Sequence, residues 1–205
     1  NLLGGEQSGF ISEIGFEMYQ KILNEAIDEL RESEFKELFQ NRTTDDYQQI
    51  IRECVLETDM EIRIPDDYVN NVNERLSLYK DLNNIKTEED LAQFEKQLVD
   101  RFGPIPEAVE SLLQSIRLRR RAQEVGLTRL VIKSGKMIGY FHEDSTHSYF
   151  QGPMFTQVLN YIQTNPPKVK LTEKNNRLRI VFSNIRDIDE AITAVSKITT
   201  EVLVE

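Results

Sequence analysis

Apolar residues recur at helical spacing near the start of this chain and switch to alternation further on. From Phe10 to about Leu38, Ile11, Ile14, Met18 and Ile22 make one stripe, and Leu23, Ala26, Ile27 and Leu30 make another. Two offset stripes predict a long helical arm with two sets of neighbours. Asn41-Arg42-Thr43-Thr44 interrupts the pattern, and Asp45 to Cys54 predicts a further helix within a connector or insertion. Met60, Ile62 and Ile64 then alternate with Glu61 and Arg63 up to Pro65, which predicts a half-buried strand.

Start and stop signals divide the next stretch. Asp66 and Asp67 predict the front of a helix reaching about Asn84, and Thr87 before Glu88-Glu89-Asp90 predicts another ending at Phe102 and Gly103. Pro104-Ile105-Pro106 forces a corner, after which Glu107 to Val125 predicts a helix closed by Gly126. Val109, Leu112, Leu113 and Ile116 share one face of that helix, whereas Leu118, Ala122 and Val125 lie nearly opposite. Its two halves are therefore expected to pack on different partners. Leu130 to Ile132 and Met137 to Phe141 predict a hairpin around Ser134-Gly135-Lys136, and Lys168 to Leu171 with Leu178 to Phe182 predict a second around Asn175-Asn176. Helices are expected from Pro153 to about Thr164 and from about Asp187 to Thr200. The fold class predicted is α+β, helices packed with short antiparallel hairpins and preceded by a long N-terminal helical arm. The division expected is 1–58 for the arm and connector and 59–205 for the main domain.

Composition narrows the chemistry. The net charge is -10, and a surface that acidic repels a phosphate backbone as a whole. Charge is uneven, however. Residues 45–67 hold eight acidic and two basic side chains, while Arg117 to Lys136 holds seven basic and one acidic. The basic stretch is the best sequence case for nucleic acid, although its arginines point several ways around a helix and no aromatic residues are interleaved to stack bases. Cys54 is the single cysteine, which excludes an internal disulfide and a cysteine-based zinc cluster. His142 and His147 lie in a polar loop without a third ligand, so a solvated loop is expected there and no metal. Glu57, Asp59 and Glu61 are expected on a solvent face. No apolar run approaches the roughly 20 residues of a membrane span, and the expectation is a cytoplasmic, monomeric fragment with no catalytic residues and no cofactor.

Five short motifs carry a resemblance. Leu2-Leu3-Gly4, Gln7 and Gly9 resemble the end of the translocation motif of RecG-like superfamily 2 DNA translocases. A glycine-rich loop of this kind implies a domain upstream of Asn1. Pro65 to Val69, Arg75 to Lys80, Leu98-Val99-Asp100-Arg101-Phe102-Gly103, and Leu118 to Ala122 with Gly126 resemble the carboxy-terminal domain of the bacterial transcription-repair coupling factor (Mfd) family. The resemblance implies a parent that is an ATP-driven translocase on double-stranded DNA, with ATP and Mg in its motor domains, acting on stalled RNA polymerase and recruiting UvrA. It implies an autoinhibitory role for this part, docked on a UvrB-like amino-terminal module through Asp100, Arg101 and the neighbouring Gln97, where relatives tend to carry an acid. The alternative for the corner is structural, with Phe102 as an anchor and Asp100 and Arg101 as helix caps. For the whole domain the alternative is a nucleic-acid grip through Arg117 to Lys136.

Overall fold

The structure, a computed structural model, describes residues 54–200. The translocation-motif loop with Gly4, Gln7 and Gly9 and the N-terminal arm lie outside the described residues. Five helices and five strands follow in the order β1 (Val55–Thr58), α1 (Val72–Asn84), α2 (Glu88–Phe102), α3 (Glu107–Val125), β2 (Arg129–Lys133), β3 (Lys136–Tyr140), a 3-10 turn (Ser148–Gln151), α4 (Pro153–Thr164), β4 (Val169–Lys174), β5 (Arg177–Ser183) and α5 (Ile188–Thr200). The fold is α+β. Its described residues form two compact units, one made of Ile62–Leu113 and the other of 54–61 and 114–200.

In the first unit the helix starts follow local chemistry. Thr87 accepts from the Asp90 backbone N–H while Asp90 accepts from that of Thr87, a capping box that satisfies two otherwise orphaned donors. Leu91, Phe94 and Leu98 of α2 are buried with Leu78, Tyr79 and Leu82 of α1. Two expectations fail here. Residues 60–64 form no strand, because the Ile64 N–H donates to the Tyr79 hydroxyl at 2.8 Å and that of Met60 to the Thr58 hydroxyl at 3.1 Å. Nor do Asp66 and Asp67 open a helix. They sit in a turn closed by the Tyr68 and Val69 N–H groups on the Pro65 carbonyl, and α1 begins only at Val72, where Asn71 caps the Glu74 N–H at 3.1 Å. Arg75, 4% exposed, donates to the Val69 and Asn70 carbonyls and satisfies that turn from within.

The second unit is built on a five-stranded sheet in the order β1-β2-β3-β5-β4. Both expected hairpins are present, with Ser134 and Gly135, and Asn175 and Asn176, at positive φ in their turns. What alternation did not predict is β1, which pairs parallel to β2 with Val55 opposite Arg129 and Thr58 opposite Ile132. A parallel partner needs a long crossover, and residues 59–128 supply one. Leu56, Leu130, Ile132, Met137, Ile180, Phe182 and Val169 line one face of the sheet and are at most 4% exposed. Leu118, Ala122 and Val125 of α3, Val158 and Tyr161 of α4, and Ala191, Val195 and Ile198 of α5 are buried with them. The unit boundary falls inside α3, between Leu113 and Gln114, a few residues before its apolar stripe changes face.

Gly126 ends α3 at φ +91°, and a Cβ there would lie 2.2 Å from the Tyr149 ring. The Tyr149 hydroxyl donates to the Val125 carbonyl, and its burial raises its pKa above the usual phenol range. Phe141, Phe150 and Phe155 surround that ring at centroid distances of 5.4–5.9 Å. Gly126→Ala should therefore combine left-handed backbone strain with a clash and cost roughly 2 kcal/mol or more. Thr87→Ala, which removes one cap, should cost about 1 kcal/mol. Urea unfolding followed by circular dichroism checks both values and their order.

Candidate protein-interaction site

The motif ending α2 folds into a braced corner. Gly103 leaves the helix at φ +86°, its N–H bonding back to the Val99 carbonyl at 2.9 Å, a conformation that other residues resist. Pro104 and Pro106 follow and start α3. The Tyr68 hydroxyl reaches the carbonyls of Leu98 and Gly103 at 3.3 and 3.0 Å, and its ring lies 5.8 Å from that of Phe102. Burial raises the Tyr68 pKa, so the hydroxyl keeps its proton and remains a donor. Sequence reasoning took Tyr68 only as part of a motif, because nothing in spacing shows that it reaches residues 30 and 35 positions away.

Asp100 and Arg101 have different surroundings. The Arg101 guanidinium pairs with Glu74 of α1 and sits 4.9 Å over the Phe102 ring. It also carries its positive charge in the last turn of α2, where the helix dipole favours a cation. Arg101 thus has structural work even though its side chain is 52% exposed. Asp100 is exposed, and its side chain makes no hydrogen bond or ion pair among the described residues. An anion in the last turn opposes the dipole, so folding gains nothing from it. Gln97, one turn earlier, is exposed in the same way, and Val99, about a quarter turn round the helix on the other side of Asp100, is 45% exposed. The result is an exposed acid and amide on one side of a braced helix end, with the exposed Val99 on the next side round. Val99 was missed from the sequence because it falls about a quarter turn off the buried stripe, a place where an apolar residue carries no distinct signal.

The remaining candidates are absorbed by structure. His142 and His147 stack at 4.2 Å, and each Nδ1 accepts a backbone N–H, from Asp144 and Tyr149 respectively. They shape a loop, and no group of three His, Cys, Asp or Glu able to hold a metal occurs among the described residues. Glu57 pairs with Arg129 at 2.7 Å, and Asp59 accepts from the Ser134 N–H. In the arginine run of α3, Arg119 donates to the Cys54 carbonyl at 2.7 Å, Arg121 pairs with Glu124 at 3.0 Å, and Arg117 reaches Gln114 at 3.3 Å. No described helix is long and apolar enough to cross a membrane.

Comparison with known proteins adds context to this geometry. Residues 58–151 match the TRCF domain family. The chain is 32% identical over 198 residues to the transcription-repair-coupling factor of Escherichia coli K12, covering 92% of this chain and 16% of that protein. It is 32% identical over 195 residues to that of Haemophilus influenzae, covering 88% and 15%, and 36% identical over 142 residues to that of Myxococcus xanthus, covering 66% and 11%. The chain spans about a sixth or less of the length of these relatives. Among solved structures, a crystal structure of a C-terminal domain of transcription-repair coupling factor superposes with a TM-score of 0.58 at 18% identity, covering 73% of this chain and 96% of that one, a likeness of fold.

The surroundings of the corner predict a stability pattern. Asp100→Ala should leave the melting temperature unchanged or slightly raised, whereas Glu74→Gln should lower stability by less than about 1 kcal/mol, as expected for a solvent-screened pair. Thermal unfolding of both variants beside the parent sequence checks this.

Proposed function

We propose that this chain, which belongs to the transcription-repair coupling factor family, serves as a regulatory protein-interaction domain of an ATP-dependent DNA translocase in transcription-coupled nucleotide-excision repair. It docks on a UvrB-like amino-terminal module of the same protein, masks the surface that takes UvrA, and restrains the motor. The observation that carries this reading is the exposed Asp100, which shares a side of a braced helix end with the exposed Gln97 and does no work for folding. A fixed charge selects partner and orientation more than it adds affinity. That suits a contact which has to open. Moving such a switch from almost closed to almost open takes about 5.5 kcal/mol of differential binding, which RNA polymerase engagement together with UvrA can supply.

On this reading the fragment itself is not an enzyme and holds no cofactor. ATP and Mg belong to the motor domains, and double-stranded DNA, RNA polymerase and UvrA are reached through the rest of the protein. Gly4, Gln7 and Gly9 belong to the loop that couples ATP hydrolysis to movement along DNA.

Two experiments in the full-length translocase test these assignments. Asp100→Arg combined with Gln97→Lys should raise UvrA affinity and basal ATPase activity severalfold while the domain keeps its melting temperature. Unchanged UvrA affinity in a folded variant contradicts the docking face. Gln7→Ala should leave ATP turnover in place but abolish strand displacement, and unchanged displacement would reduce the loop to a linker.

A further inference from the structure

The five-stranded sheet buries one face and leaves the other half-exposed, and cross-strand register decides what that second face displays. Successive side chains alternate between faces. Opposite the buried row Leu56, Leu130 and Ile180 therefore stand Arg129, Tyr140 and Arg179, aligned across β2, β3 and β5. The next row is Val131, Ile138 and Val181, all half-buried, and it ends at Lys170 on β4. Lys133 lies directly opposite Lys136 at one end of the sheet, and Lys174 directly opposite Arg177 at the other. Only Glu57 is acidic within these rows, and it is taken up by Arg129. Arg177 pairs with Glu143. Lys133, Lys136, Lys170, Lys174 and Arg179 form no ion pair among the described residues.

Like charges placed directly opposite each other across a ladder destabilise it. Two such pairs on one face, in a chain whose net charge is -10, give folding nothing. A bound polyanion would relieve both. We propose that this open sheet face binds the phosphate backbone of duplex DNA without regard to sequence. β5 has seven residues, so at ~3.3 Å per residue the cations span roughly 20 Å along the strands, and the three gaps between the four strands that carry them, at ~4.8 Å each, give a width of roughly 14 Å. No small anion reaches charges spread that far, whereas an extended backbone reaches them all. Four of the five free cations are lysines, which are depleted in protein–protein interfaces and serve as point-charge partners of phosphate. Tyr140 is not free to stack a base, because the Arg129 and Arg177 guanidiniums lie 5.1 and 5.3 Å from its ring centre. That favours the outside of a duplex over unstacked single strands. The nucleic-acid grip expected for Arg117 to Lys136 is in this way moved off the arginines of α3 onto the sheet. This proposal stands independently of the docking role of Asp100.

Fluorescence anisotropy of the 205-residue chain with a labelled duplex of mixed sequence, titrated between about 50 and 200 mM salt, tests it. The expected dissociation constant is on the order of 10 µM at low salt, with a log–log salt slope of about -4.5 for five phosphate contacts. Lys133→Ala/Lys136→Ala/Arg179→Ala should reduce the slope by about 3, and Lys170→Ala/Lys174→Ala by about 2, with each variant melting within a few degrees of the parent sequence. Arg117→Ala/Arg121→Ala should change neither slope nor affinity. Absence of binding at low salt overturns the proposal. So does loss of binding only in the α3 variant, tighter binding to single strands, or tighter binding to an acidic polypeptide such as polyglutamate.

Discussion

The contact of the Tyr68 hydroxyl with the Leu98 and Gly103 carbonyls fixes where α2 stops, and much of the molecule follows from that point. A helix end leaves carbonyls without partners, and a half-buried phenol that keeps its proton is one of the few groups that can satisfy them from another part of the chain. With α2 ended at Gly103 and two prolines following, α3 has one place to begin. Residues of α3 contribute to both compact units.

That economy separates residues that hold the fold from residues left over. Arg101, Phe102 and Tyr68 brace one another, and Arg75 satisfies the turn that delivers Tyr68. Asp100, Gln97 and Val99 take no part in the bracing. In the sheet unit the same separation runs between faces, with the dry face made of branched and aromatic side chains and the open face of lysine and arginine around a short apolar row. A fold that spends its interior so fully leaves its function to surfaces.

Much of this was legible in the sequence, for local reasons. Thr87 with Asp90, Gly103, Gly126 and the turns at Ser134-Gly135 and Asn175-Asn176 act within a few residues, and each stands where residue chemistry predicts. The change of face along α3 was legible because helical periodicity is local too. Non-local pairings were not. Val55 to Thr58 is four residues long with one deeply buried side chain, so its parallel partner 74 positions away leaves no periodic trace. The stronger alternation at Met60, Ile62 and Ile64 misled because Tyr79 captures the Ile64 N–H that a ladder would have used. For the site, the Asp100 and Arg101 motif was visible, but their division of labour depends on Glu74, 27 residues from Arg101. The basic face is assembled from four strands, three of which each supply two or more of its cations, and only register brings them together.

We propose that the end of α2 is a docking face for another module of the same protein. Isothermal titration of this chain against the isolated UvrB-like amino-terminal module measures it directly. A docking face at this helix end gives saturable binding that weakens at least tenfold with Asp100→Arg and is restored, at least in part, by reversing a basic residue on the module. Absence of binding, or binding that Asp100→Arg leaves unchanged, would contradict it.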